Sequence, residues 1–192
     1  MAAHLTKLTV ARQQLATAIE LLFAGKDIIS IYSLATNAWE VIDVLCVRAE
    51  IESMSEQVRE NVPKGKSLKH AYINSPYRNF FKHADNDTDL TLEPLPYSQL
   101  EGVLFLAVED YIRLNRQSPV QLQVYQLWYL AKHPEKLDPD VAGSLKDDVT
   151  RIFPNLYAIS RTDQIALGAG LLLKFLNDEE MKKDPRTECA FE

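Results

Sequence analysis

Cysteine, glycine and long apolar runs are all scarce in this sequence. Its 192 residues include only two cysteines, Cys46 and Cys189, and no CxxC pair, so it carries no disulfide framework and a reducing compartment is expected. Six glycines leave long uninterrupted segments, which favours helices over many short strands. The apolar runs fall short of the roughly 20 residues that a membrane-spanning helix needs. We therefore expect a cytoplasmic protein with no signal peptide and no membrane segment.

An excess of positive charge is also missing. Asp and Glu number 27 against 21 Lys and Arg, which gives a net charge of −6. A general basic field that would attract nucleic acid or anionic membranes is therefore not expected, although a local basic cluster could still serve. Hydrophobic residues make up 46% and charged residues 25% of the chain, which is usual for a globular protein and argues against disorder.

What the sequence does contain is helical periodicity. Apolar residues at three- and four-residue steps predict an amphipathic helix over about 4–24, ended by Gly25. Asp27 is suited to cap a second helix over about 27–50, which is apolar on nearly every side. Such a helix should lie at the centre of the fold or at a subunit interface. Further helices are predicted at about 97–116, 119–132, 138–151 and 160–177.

These elements predict an all-α fold, a single compact bundle of about seven helices with antiparallel neighbours. We expect one domain over residues 1–184 and a loose C-terminal tail over residues 185–192. The apolar surface of the second helix further predicts a homodimer, because it exceeds the single stripe that one chain normally covers.

Three local patterns predict packing. Cys46, within the apolar second helix, is expected to be a core residue. Gly168-Ala169-Gly170 would allow a close approach between helices, either within the chain or at a dimer seam. Tyr125, Trp128 and Tyr129 lie at helical spacing and are expected to form a core cluster, with a ligand pocket as the alternative.

The segment with the most potential for chemistry is Arg78-Asn79-Phe80-Phe81-Lys82-His83. Arginine keeps its proton, whereas histidine titrates near neutral pH. Arg78 could therefore hold phosphate oxygens in a bidentate manner while His83 exchanges a proton. Asn79 could orient either the imidazole or the phosphate. A pattern this short also arises by chance.

This segment resembles the motif of the HEPN superfamily, in which an arginine is followed commonly by Asn, Asp or His and, after a short spacer, by a histidine. Arg78, Asn79 and His83 match that motif position by position. The resemblance implies an all-helical, usually dimeric, metal-independent ribonuclease of a toxin or defence system, with an RNA substrate or an antitoxin-type protein partner. One histidine per chain is few for both acid and base, so two facing motifs in a dimer would supply both. The stretch NFFKHAD also resembles one in uncharacterised bacterial helical proteins.

The same residues have a structural interpretation, which stays open beside the first. Phe80 and Phe81 fit a core, and Arg78 and His83 could anchor a loop through hydrogen bonds. The protein would then be a non-catalytic helical protein that binds a partner or a small ligand. A local basic cluster could bind phosphate or form a solvated face; it comprises Lys64, Lys66, Lys69, His70 and Lys82.

Metal and cofactor patterns are weak. Residues 85–89 have the spacing that begins a calcium loop, but Leu90 stands where glycine is required and Pro96 where glutamate is required. Asp85 and Asp87 remain weak candidates for a metal site. No cofactor is predicted, because the sequence has no glycine-rich phosphate loop and no serine in a nucleophile elbow.

Overall fold

The structure, a computed structural model, describes residues 5–83, 88–137 and 143–188, and within these ranges the chain is helical and has no β-strand. The predicted all-α fold is confirmed. The α-helices in these ranges are α1 (Lys7–Phe23), α2 (Ile28–Arg48), α3 (Met54–Arg59), α4 (Asn79–Lys82), α5 (Tyr97–Asn115), α6 (Val120–Lys132), α7 (Gly143–Ile152), α8 (Arg161–Leu176) and α9 (Glu179–Lys183). A π-helix (Lys69–Arg78) precedes α4, and short 3-10 turns follow α6 and α7.

The chain divides into two compact units. The first comprises Met1–Ala18 and Asp27–Arg116, and the second comprises Ile19–Lys26 and Gln117–Glu192. Compact units of one chain are not necessarily independent domains, so the single domain expected over residues 1–184 stays a prediction.

The start of α2 shows how local chemistry sets the element boundaries. Gly25 has a φ of 63°, the left-handed conformation that glycine adopts at little cost and that ends α1. Asp27 then caps α2, because its Oδ1 accepts a hydrogen bond from the Ser30 amide at 2.8 Å. Both residues act as the sequence predicts.

Helix α2 lies at the centre of the first unit and packs along α5. It buries one long face, on which Tyr32, Trp39, Ile42 and Cys46 are at most 1% exposed. Burial raises the pKa of the Cys46 thiol to about 12, so this cysteine is an inert core residue, as predicted.

By length and composition, α2 is also the one helix in the described ranges that could cross a membrane. The core helix of a soluble protein meets the same criterion. Here α2 serves as the helix on which α5 and the π-helix pack.

A buried polar network joins α2, α3 and α5. Trp39 donates through Nε1 to Ser55 Oγ at 2.9 Å, and Ser55 in turn donates its hydroxyl to Asp110 Oδ2 at 2.5 Å and its amide to Oδ1 at 3.1 Å. Burial raises the pKa of Asp110, while the hydrogen bonds from Ser55 oppose that rise. A six-residue helix is too short to be stable alone, so this network, together with the ion pair between Arg59 of α3 and Asp43 of α2, holds α3 in place.

The second unit is built around aromatic residues of α6. Tyr125 and Trp128 are fully buried and Tyr129 is nearly so, which confirms the predicted core cluster. Phe23 packs edge-on against Trp128, with ring centroids 5.6 Å apart. A Cβ placed on Gly168 of α8 would lie within 2.8 Å of three ring carbons of Phe23. Gly168 therefore serves close packing inside the chain.

The chain beyond α9 is held at its first residues. The Ser118 amide donates to the Arg186 carbonyl at 3.0 Å, and the Glu188 amide donates to the Ser118 carbonyl at 3.0 Å. The tail that was expected to be loose from residue 185 is therefore hydrogen-bonded through residue 188, and residues 189–192 lie outside the described ranges.

Candidate functional site

Arg78 is the last residue of the π-helix, which continues directly into α4. In a π-helix each amide bonds five residues back, and such turns are rare and frequent at functional sites. The Asn79 amide accordingly donates to the Asn74 carbonyl. Pro76 lies inside this helix and has no amide hydrogen to donate. The helical path nevertheless runs through Pro76.

The guanidinium of Arg78 is buried against α2, and the side chain carries little exposure, 8% for the residue. Its Nη1 donates to Asn74 Oδ1 at 3.1 Å, and its Nη2 donates to Asn37 Oδ1 at 3.3 Å and to Glu40 Oε2. Its Nε is buried and has no hydrogen-bond partner in the described part of the chain. Arg78 is thus bonded to two helical segments of its own chain.

Glu40 holds both ends of the π-helix. Its Oε1 accepts from Lys69, the first residue of that helix, and its Oε2 accepts from Arg78, the last. Partial burial by itself would raise the pKa of Glu40, but the hydrogen bond from Lys69 and the charge of Arg78 outweigh that effect and lower it. Glu40 is therefore ionised at neutral pH and neutralises much of the Arg78 charge.

The other two residues of the motif lie on the solvent side. Asn79 and His83 are exposed, and His83 is the C-cap of α4, with its amide donating to the Asn79 carbonyl at 2.9 Å. These residues are described, and no hydrogen bond joins the side chains of Arg78, Asn79 and His83. The side chain of Arg78 is therefore bonded to α2, whereas the side chain of His83 is exposed to solvent.

The metal candidates Asp85 and Asp87 lie outside the described residues. Within the described ranges, no three His, Cys, Asp or Glu side chains form a group that could hold a metal ion.

Tyr77, which precedes Arg78 in the chain, lines an apolar groove of about 540 Å³, referred to below as the aromatic groove. Tyr77, Phe80 and Phe81 form one wall, Ile28 and Ile29 at the start of α2 form another, and residues 90–95 with Tyr97 complete the lining. Among the described lining residues, Glu93 is the one charged side chain. The groove is therefore suited to an apolar molecule with few polar groups.

The wall of the groove is stabilised from behind. Tyr32 of α2 packs edge-on against Phe81, with ring centroids 6.1 Å apart, and its hydroxyl donates to the Ile73 carbonyl at 2.9 Å. Tyr77 donates to the Pro94 carbonyl at 3.3 Å, which connects the wall to the opposite lining segment. The groove is thus formed by side chains with fixed partners, which favours a preformed site.

Glu40 and the groove were not predicted from the sequence. A signal for Glu40 exists, because Asn37 and Glu40 are polar residues three apart on a mainly apolar helix, and half-buried polar groups need partners. No comparable pattern marks the groove, whose walls come from three separate stretches of the chain. Comparisons of the chain with protein-family models, with curated proteins and with solved structures find no match.

Proposed function

We propose that this is a non-catalytic helical binding protein that holds a small apolar molecule in the aromatic groove. The observation that carries the proposal is the placement of Arg78, whose guanidinium is buried on Glu40 and Asn37 while its neighbour Tyr77 lines the groove. In this proposal the arginine of the motif anchors the helix that forms one wall of the groove.

The groove has the size and chemistry of a small-molecule site. Its volume of about 540 Å³ falls within the roughly 300–1,000 Å³ of typical ligand pockets. The rings of Tyr77, Phe80 and Phe81 offer large apolar surfaces with few rotatable bonds. Glu93 and Thr91 supply polar atoms in the lining that could orient a hydroxyl or amino group of the ligand.

The ribonuclease hypothesis requires that Arg78 and His83 be available to an RNA phosphate. RNA cleavage needs a proton-transfer group within hydrogen-bond reach of the phosphate, together with a cation that is available to it. Arg78 would have to leave Glu40 to bind a phosphate. Among residues 5–83, 88–137 and 143–188, no side chain forms a hydrogen bond that would orient the exposed His83. These features favour the binding function over the catalytic one.

Ligand binding can be tested with Nile red, a neutral fluorophore whose emission shifts in apolar surroundings. We expect saturable binding that Ile29→Asp weakens at least about tenfold, because a carboxylate would be placed in an apolar lining. Val47→Asp is the matched control, since Val47 is an exposed apolar residue of the same helix outside the groove. Binding that does not saturate, or equal losses in both variants, would contradict the proposal.

The absence of catalysis needs its own experiment. We expect purified protein and its His83→Ala variant to leave RNA uncleaved at the same background level. Because His83 is exposed, the substitution should change the free energy of unfolding by less than about 0.5 kcal/mol. RNA cleavage that falls at least about 10²-fold in His83→Ala, the usual scale of acid–base catalysis, would establish the ribonuclease instead.

A further inference from the structure

One face of α8 is apolar and open to solvent. Leu167 is 50% and Leu173 is 66% exposed. Gly170 lies between them, and a Cβ placed on it would meet no atom within 4 Å. The opposite face is buried at Gln164, Gly168 and Leu172. The two glycines of α8 thus serve different faces, Gly168 the inner one and Gly170 the outer one.

The outer face is symmetrical about Gly170. Leu167 precedes Gly170 by three residues and Leu173 follows it by three, about 4.5 Å along the helix axis in each direction. If a second α8 crossed antiparallel at Gly170, each Leu167 would meet the Leu173 of the other copy. Glycine at the crossing point adds no side chain, so the two backbones could approach closely. This is the self-complementary pattern of a two-fold interface.

Charges on the same face favour the antiparallel orientation. Asp163 lies seven residues before Gly170 and Lys174 four residues after it, and both are exposed. In the antiparallel crossing, Lys174 of one copy lies opposite Ala166 of the other, one turn from Asp163. Each end of the crossing therefore pairs opposite charges. A parallel crossing would place Lys174 opposite Lys174, which is unfavourable.

We propose that two copies of this chain associate through α8, antiparallel and centred on Gly170. A stable interface buries roughly 800 Å² on each partner, more than one helix face provides. Further exposed apolar residues lie close to this face in the chain, namely Tyr157 and Ile159 just before α8 and Leu176 at its end. The second copy is the occupant because the face is complementary to itself in shape and in charge.

The oligomeric state in solution tests whether the outer face of α8 is a dimer interface. Light scattering across the micromolar range should give the mass of a dimer for the unaltered chain and half that mass for Leu167→Glu, which places two carboxylates at the crossing. Val47→Glu is the matched control, because Val47 is an exposed apolar residue at 61% on another helix, and it should leave the dimer intact. An unaltered chain that is monomeric, or a Leu167→Glu variant that is folded by circular dichroism and dimeric, would overturn the proposal.

Cysteine cross-linking tests the register. In a Cys189→Ser background, Gly170→Cys should form disulfide-linked dimers, because helix axes 8–10 Å apart bring facing Cα atoms to about 3.4–5.4 Å. Ala166→Cys lies on the same face, but its two copies would be about 12 Å apart along the axis, too far for a disulfide. Cys46 is fully buried and does not contribute. Equal linking at both positions, as in a parallel pair, or no linking at Gly170→Cys, would overturn the antiparallel crossing.

Discussion

Arg78 and Glu40, 38 residues apart in the sequence, form an ion pair that fastens the end of the π-helix to α2. The second oxygen of the same carboxylate accepts from Lys69 at the start of the π-helix. A single glutamate of α2 thus holds both ends of the segment that forms the wall of the aromatic groove, and the two contacts differ in burial. The Lys69 side chain is 41% exposed and that of Arg78 is 9% exposed.

This difference in burial predicts different costs of substitution. Arg78→Met should lower the free energy of unfolding by about 2–3 kcal/mol, because it leaves partly buried acceptors of Glu40, Asn37 and Asn74 without a donor. Lys69→Met removes an exposed contact to the same carboxylate and should cost less than about 1 kcal/mol. Urea denaturation of both variants measures the two values. Equal costs would show that Arg78 is not the principal anchor.

The lowered pKa of Glu40 predicts a loss of stability in acid. A carboxylate whose pKa is lower in the folded state contributes stability that is fully present above its ordinary pKa, about 4.3 for glutamate, and is lost as the pH falls through the folded-state pKa. The difference in unfolding free energy between the unaltered chain and Glu40→Gln should therefore be constant near neutral pH and shrink below about pH 4. Other carboxylates, such as Asp110 and Asp184, titrate in both proteins and cancel in the difference. A difference that does not change with pH would contradict the role of Glu40.

The close contact between Gly168 and Phe23 predicts that position 168 does not tolerate even a methyl side chain. Gly168→Ala would bring its Cβ within 2.8 Å of three carbons of the buried Phe23 ring, and the resulting overpacking should cost about 1–3 kcal/mol. Gly102 of α5 is the matched control, because a Cβ there would meet no atom within 4 Å. Gly102→Ala should raise stability by about 0.5–1 kcal/mol through helix propensity. In thermal unfolding experiments, Gly168→Ala should lower the melting temperature and Gly102→Ala should raise it.

The position of Ser55 in the network between α2, α3 and α5 predicts that its substitution lowers the free energy of unfolding. Ser55→Ala removes the partner of Trp39 Nε1 and a donor to the buried Asp110 carboxylate. Trp39 Nε1 is then left without a partner and Asp110 keeps the residue-55 amide but loses one donor, which should lower the unfolding free energy by about 3 kcal/mol. Ser98→Ala, at an exposed position in the first turn of α5, should change it by less than about 0.5 kcal/mol. If the two variants lost equal stability, the network would contribute nothing to holding α3.

The predicted helices agree closely with the observed ones where local signals mark their ends. Residues 97–116 were expected to be helical and α5 spans Tyr97–Asn115, and 160–177 corresponds to α8 at Arg161–Leu176. Ser160 shows why, since it caps α8 by accepting from the Asp163 amide at 3.2 Å, and such a cap is visible in the sequence. Predicted helix 138–151 corresponds to α7, which begins at Gly143, and residues 138–142 lie outside the described ranges.

The π-helix was not predictable, because its amide-to-carbonyl spacing of five has no established sequence pattern and periodicity rules assume the α-helix. The consequence for the candidate site is direct. The motif identified Arg78 as the residue to follow, but its partners Glu40 and Asn37 belong to a helix some 40 residues earlier.

The sequence by itself determined the helical class, most helix ends and the burial of Cys46 and Trp128, because periodicity and capping act between residues three to five apart. The tertiary structure alone decided that Arg78 bonds to Glu40 and that His83 stays in solvent. It also brought three distant stretches together around the aromatic groove. It placed Gly168 on the packed face of α8 and Gly170 on the open face. These outcomes depend on contacts between residues far apart in the chain, and no local pattern specifies which distant side chain meets which.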